Sequence, residues 1–209
     1  MSHKVIFLDT ETTGLNTDAC GLIQISGCIE IDGQTVDEFD IRSNIYSNDS
    51  VEQEALVKNG ITLEQIYKYQ HPGKAFVQFC KVLGKYIDQY NKKDKFIAVG
   101  YVADFDNRVL RSWFRKNSND YFGSWFWHPW IDVMNLAAYI YQDRRQEFEN
   151  FKQETVAKFM GIECEPNQCH DAMYDTKLTR AIYYSLTSGE SEQTAPRIVY
   201  LPREDDIPF

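Results

Sequence analysis

The segment KVIFLDTETTGL, Lys4–Leu15, runs from an apolar stretch into two carboxylates and a glycine turn. Lys4–Asp9 reads as a buried strand, because Val5, Ile6, Phe7 and Leu8 form a short continuous apolar run. Side chains alternate faces along a strand, so Asp9 and Glu11 project from the same face. Two carboxylates on one face of a buried strand repel each other, a cost relieved by a cation between them or by a proton on one. Thr12, Thr13 and Gly14 end the strand, and the glycine lets backbone approach a ligand closely. A pair of solvated acids at a strand end is the competing reading, and the apolar flanks weigh against it.

Working outward, Leu22–Ile31 partly alternates apolar and polar residues, as a half-buried strand does. Val36–Arg42 alternates again after the turn-like Asp32-Gly33 pair, so a three-stranded antiparallel meander is expected. Helical spacing follows in Val51–Lys58, with Gly60 as its stop, and in Lys74–Tyr90, where Phe76, Phe79, Val82, Leu83, Tyr86 and Ile87 recur on one face. Lys95–Tyr101 returns to a buried strand, and Asp106–Lys116 reads as a helix with Val109, Leu110, Trp113 and Phe114 inward. A short strand near Trp125–Asp132 precedes helices at Met134–Tyr141, Thr155–Met160 and Asp171–Leu186. This order predicts an α/β domain over residues 1–186, a mixed sheet with helices on its faces. The polar stretch Thr187–Pro196 opens a linker placed at 187–199, which leads to an acidic tail at 200–209.

The 209 residues suffice for one domain with a hydrophobic core, and a hydrophobic fraction of 43% with 25% charged residues is ordinary for a globular protein. No apolar stretch is long enough to span a bilayer, and MSHKVIFLDT lacks the pattern of a secretory signal. The five cysteines, Cys20, Cys28, Cys80, Cys164 and Cys169, are odd in number and form no CxxC pair, which suits a reducing, cytoplasmic setting. The spacing of Cys164, Cys169 and His170 matches no common zinc motif. A net charge of −9 argues against non-specific coating of duplex DNA. It leaves room for a nucleic-acid enzyme, since a carboxylate site that binds divalent cations recovers attraction for phosphate.

Two further segments carry chemistry. Phe105-Asp106 lies just past the strand Lys95–Tyr101, where α/β sheets place ligands, although Asp106 or Asp104 is equally suited to cap a helix. In HDAMYDTKLT, His170–Thr179, the histidine and Asp175 are five residues apart and would diverge by well over a right angle in one helix. His170 is therefore expected in the loop before a helix, Asp171 at its N-cap and Asp175 in its early turns. Taken alone, a histidine near a helix start is usually structural.

Together these segments resemble the DEDD exonucleases of the proofreading type, in the histidine-bearing DEDDh subgroup typified by the ε subunits of bacterial DNA polymerase III. Asp9 and Glu11 match the first motif, Asp106 the second, and His170 with Asp175 the third, and the resemblance runs from about Lys4 to Leu186. It implies an RNase H-like fold: a mixed five-stranded sheet with helices on both faces. It also implies 3′–5′ hydrolysis of single-stranded nucleic acid, DNA in the first instance, with two divalent cations, Mg²⁺ or Mn²⁺. Asp9, Glu11, Asp106 and Asp175 would hold the metals, and His170, with an ordinary pKa of about 6.5, would be the general base. Thr10, Thr13 and Leu15 would touch the terminal nucleotide. Two departures bear on substrate preference: Tyr101-Val102-Ala103 stands where the family commonly has His-Asn-Ala, and Asn59 where ε-type members often have histidine. RNA trimming, and a non-catalytic binding module on the same fold, are the alternatives; the presence of all five motif residues weighs against the second.

The final residues, REDDIPF, resemble the C-terminal tip of bacterial single-stranded DNA-binding proteins, which docks on genome-maintenance proteins. Asp205 and Asp206 would attract a basic pocket, Ile207 and Pro208 would shape the approach, and Phe209 would supply an apolar plug with a carboxylate. A solvated tail, or one folded back on its own domain, is the alternative. Among the aromatics, Trp113 reads as core, while Trp125, Trp127 and Trp130 are candidates for stacking on unpaired bases.

Overall fold

A computed structural model describes residues 2–164 and 171–188; His170, the linker beyond 188 and the tail residues Asp205–Phe209 lie outside the described residues. Strand β1 (Lys4–Thr12) is the middle of a five-stranded sheet. On one side it pairs antiparallel with β2 (Leu22–Ile31), which pairs antiparallel with β3 (Gln34–Arg42). On the other it runs parallel to β4 (Ile97–Gly100), followed by β5 (Ile131–Asp132). The expected meander is present, and Asp32 (φ 51°) and Gly33 (φ 80°) form its two-residue turn with the positive φ angles of a type I′ hairpin.

The alternation along β1 feeds two cores. Ile6 and Leu8 pack with α3 (Pro72–Gly84) and α4 (Ala103–Lys116), where Phe79, Leu83, Leu110 and Phe114 are almost completely buried. Val5 and Phe7 pack on the opposite face with α5 (Val133–Ile140), α6 (Gln153–Phe159) and α7 (Ala172–Thr187), through Val133, Val156, Leu178 and Ile182. Two short helices, α1 (Gln53–Lys58) and α2 (Leu63–Lys68), cover a smaller apolar cluster of Ile23, Leu56 and Ile66. The mixed five-stranded sheet with helices on both faces is thus present.

Several local expectations are corrected. β2 is buried on both faces, because α7 packs over it, and its polar side chains find partners on α7 and on β3. Glu30 accepts hydrogen bonds from Arg180 and Tyr184 of α7, while Gln24 and Ser26 each donate to Asp40 of β3 at 2.7 Å. α3 stops at Gly84, yet Ile87 remains buried in the turn beyond it, which is why the apolar spacing ran on. α2 was missed, although Thr62 and Gln65 form a reciprocal capping box. α4 begins at Ala103 with Val102 as N-cap, so neither Asp104 nor Asp106 caps it. Trp125 and Trp130 are core residues, and only Trp127 of that group is exposed, with the Lys95 ammonium 5.2 Å from its ring centre.

Candidate active site

β1 carries Asp9 and Glu11 onward from Val5 and Phe7, on the face covered by α7. Asp9 lies opposite Ser26 and Glu11 opposite Gln24, and the pairing becomes irregular between Glu11 and Thr12. Such an irregularity at a strand end commonly re-aims side chains beside a site. α7 supplies the third carboxylate. Asp171 caps it, accepting from the backbone N–H groups of Met173 and Tyr174 at 3.1 Å, which places Asp175 in the first turn. Two bonds hold that turn: Thr176 Oγ1 donates to the Ser26 carbonyl at 3.4 Å, and Gln153 Nε2 donates to the Asp175 carbonyl at 2.7 Å. As a result Asp9, Glu11 and Asp175 each present a carboxylate oxygen within 4.8 Å of the others.

Asp106 arrives from the opposite core. A Cβ on Gly100 would lie 3.2 Å from Ala103 Cα and 3.3 Å from Asp106 Oδ2, so glycine lets the end of β4 meet the start of α4 closely. Asp132 fixes the same junction, accepting from Ala103 N at 3.0 Å and from Asn135 N, at the start of α5, at 2.9 Å. Asp106 is buried and accepts a hydrogen bond from Thr10 Oγ1 at 2.6 Å. It therefore stands beside the three clustered carboxylates, and all four line one cleft of about 530 Å³.

Burial pushes the Asp9 carboxyl well above the usual carboxylate range, and the charges of Asp106, Asp175 and Glu11 push it further. Glu11 is raised to about 8 by burial and by Asp175, with Lys58 opposing. Asp106 is raised to about 7 by burial, against the Thr10 hydrogen bond. Crowded, half-desolvated carboxylates of this kind are stable as anions when a cation joins them. The donor set is all carboxylate oxygen, which fits a hard divalent cation and not a thiolate-seeking one.

A family model described as "Exonuclease" matches residues 6–183. The chain belongs to the exonuclease family. Its similarity extends to a PolC-type DNA polymerase III of Thermotoga petrophila, 27% identical over 179 residues, which are 85% of this chain and 11% of that protein. Among solved structures, E. coli exonuclease I in complex with a dA16 oligonucleotide has the same fold, with a TM-score of 0.70 at 18% identity over 89% of this chain and 41% of that one. A structure of SSB/exonuclease I with an inhibitor gives a TM-score of 0.70 at 19% identity, over 90% of this chain and 42% of that one. The chain thus spans a small part of the polymerase and less than half of exonuclease I.

Within this exonuclease-family domain, the motif residues Asp9, Glu11, Asp106 and Asp175 share the cleft, and His170 lies outside the described residues. The three residues expected at the terminal nucleotide separate. Thr10 lines the cleft but commits its hydroxyl to Asp106. Thr13 is fully buried, donating to the Ser50 carbonyl at 2.6 Å and accepting from Gly21 N at 2.8 Å, and its side chain instead braces the loop. Leu15 lines the cleft and is 78% exposed, an apolar side chain open to a ligand. Of the departures from the family pattern, Tyr101 donates its hydroxyl to the Phe151 carbonyl at 2.9 Å, Val102 faces the cleft, and Asn59 Nδ2 donates to the Thr12 carbonyl at 3.0 Å. Gln153, Lys58 and Phe105 also line the cleft and were missed. Gln153 and Lys58 sit on short helices where nothing in the local pattern sets them apart. Phe105 was visible beside Asp106 but was read only as part of the motif.

Proposed function

We propose that this exonuclease-family chain is a metal-dependent 3′–5′ exonuclease that removes nucleotides from the 3′ end of single-stranded DNA. The observation that carries this reading is the convergence of Asp9, Glu11 and Asp175 within 4.8 Å, with Asp106 in the same open cleft. Two divalent cations, Mg²⁺ or Mn²⁺, would activate the attacking water and offset charge on the leaving oxygen when bound. Asp9, Glu11 and Asp175 would hold them, and Asp106, oriented by Thr10, would complete the ligation. His170 would take the proton from the water as it attacks phosphorus. The bond to the 3′-oxygen of the preceding nucleotide then breaks, that oxygen gains a proton, and a 5′-mononucleotide departs. Leu15 and Val102 offer apolar contacts for the terminal nucleoside.

The test is digestion of 3′-labelled and 5′-labelled single-stranded DNA, duplex DNA and RNA, with Mg²⁺ and with chelator. Immediate release of the 3′ label as mononucleotide, a shrinking ladder from the 5′ label and arrest by chelator are expected. Mid-chain cuts or chelator-resistant cleavage would overturn the reading, and faster loss of RNA would move the substrate class.

The segment Asp205–Phe209 would serve as a docking peptide for genome-maintenance proteins that bind the similar tip of single-stranded DNA-binding proteins. Its acidic-then-apolar pattern supports this. Recovery of such partners with the intact chain, lost on deleting Phe209, is expected; equal recovery would end the idea.

A further inference from the structure

α1 is fastened at both ends to the backbone just beyond Glu11. The Glu52 N–H donates to the Thr13 carbonyl at 2.7 Å, and Asn59 Nδ2 donates to the Thr12 carbonyl at 3.0 Å. Leu56 beneath the helix is buried against Ile23 and Ile66. The last residue of α1, Lys58, is therefore held over the outer end of β1, and its side chain is exposed in the cleft. Among the described residues that line the cleft it is the only cation, set against Asp9, Glu11, Asp106, Asp175, Glu52 and Glu54. Its charge already acts on the Glu11 carboxyl, against the upward push of burial. An exposed lysine at the end of a short helix adds little to folding beyond a small interaction with the helix dipole. Its value here is positional.

The anchor on Thr12 lies next to Glu11 and three residues past Asp9, about 10 Å along an extended strand, so Lys58 borders the outer edge of the carboxylate cluster. The phosphate being cut must sit where the three carboxylates converge, so a cation toward the outer end of β1 meets a different phosphate of the same chain. A lysine ammonium, a compact charge with three donors, suits a phosphate oxygen there. We propose that Lys58 holds a non-scissile phosphate of the bound strand and so makes the cleft prefer polynucleotide chains to esters with one phosphodiester. This rests on the 3′-end hydrolysis reading above.

Two substrates separate the roles: a dT10 oligonucleotide, and the p-nitrophenyl ester of thymidine 5′-phosphate, which has only the scissile phosphodiester. For Lys58→Met, the ratio of kcat/KM on dT10 to that on the ester is expected to fall about tenfold, chiefly through KM on dT10. The slope of log kcat/KM for dT10 against log salt should flatten by about 0.7, the value of one lost contact on a single strand. Lys58→Arg should restore most of both. An unchanged ratio, whether both substrates suffer equally or neither does, would overturn the proposal. If the wild-type protein turns over neither substrate with Mn²⁺, the hydrolytic reading itself fails and takes this inference with it, an outcome distinct from an unchanged ratio.

Discussion

Thr10 Oγ1 donates to Asp106 Oδ1 at 2.6 Å, joining β1 to α4 in the buried floor of the cleft. The two residues belong to different motifs, and the bond lets the central strand aim a carboxylate carried by a helix from the opposite core. Partners that orient a metal-binding carboxylate commonly change affinity 10–100-fold when removed. Thr10→Val keeps the shape and removes the donor, so Mn²⁺ affinity measured by titration calorimetry should fall within about that range, with Thr10→Ser close to wild type. Wild-type affinity in Thr10→Val would show that Asp106 needs no such aim.

The raised carboxyls make a pH prediction with a definite sign. Asp9, Glu11 and Asp106 hold their protons more tightly when folded than when unfolded. Their contribution to metal-free stability is complete below the unfolded values, about 4. It is lost as pH rises through about 7 for Asp106 and about 8 for Glu11. The Tm of chelator-treated protein should therefore drop between pH 5 and pH 8, and Mn²⁺ should raise Tm more at pH 8 than at pH 5. Glu11→Gln should reduce both effects. A metal-induced shift equal at the two pH values would contradict this electrostatic picture.

His170 precedes the α7 N-cap, Asp171. As the proposed base it should be needed for turnover but not for metal binding. His170→Ala should lower kcat by about 10²–10⁴-fold while Mn²⁺ affinity stays near wild type. Loss of Mn²⁺ binding in this variant would make the residue a ligand instead.

Away from the cleft, Glu30 is buried in β2 and is satisfied by Arg180 and Tyr184 of α7. This pair ties to the sheet the helix that carries Asp175. Arg180→Met would leave a buried carboxylate with one partner fewer, which costs about 3 kcal/mol, toward the low end for buried pairs because Arg180 is partly exposed. Denaturant titration should show that loss, and Glu30→Met together with Arg180→Met should recover part of it. A single variant as stable as wild type would mean that solvent already carries the pair.

Most of the sheet was legible because the apolar runs of β1 and β4 and the Asp32-Gly33 turn are local signals. The same is true of Asp9, Glu11 and Asp175, whose placement follows from strand alternation and a helix cap. What escaped depends on tertiary packing. Alternation in β2 suggested a solvent face, whereas α7 covers it and pairs Glu30. Trp125 and Trp130 carry no local mark that distinguishes core from surface, and the fold buries them. Thr10 reads as a substrate contact because it interleaves the motif acids; its hydroxyl bond to Asp106, 96 residues away in sequence, has no local signal. Lys58 and Gln153 reach the cleft only because α1 and α6 are docked there.

In the function proposed above, the carboxylates at Asp9, Glu11, Asp106 and Asp175 form one metal centre for hydrolysis at a 3′ end. The most direct test is the rate of mononucleotide release from a 3′-labelled single-stranded oligonucleotide in Mn²⁺, compared between wild type and Asp9→Asn. Metal-dependent release by the wild type is predicted, with a loss of at least about 10³-fold in the variant and an unchanged or higher Tm for its metal-free form. Comparable release by the folded variant would rule out Asp9 as part of such a centre.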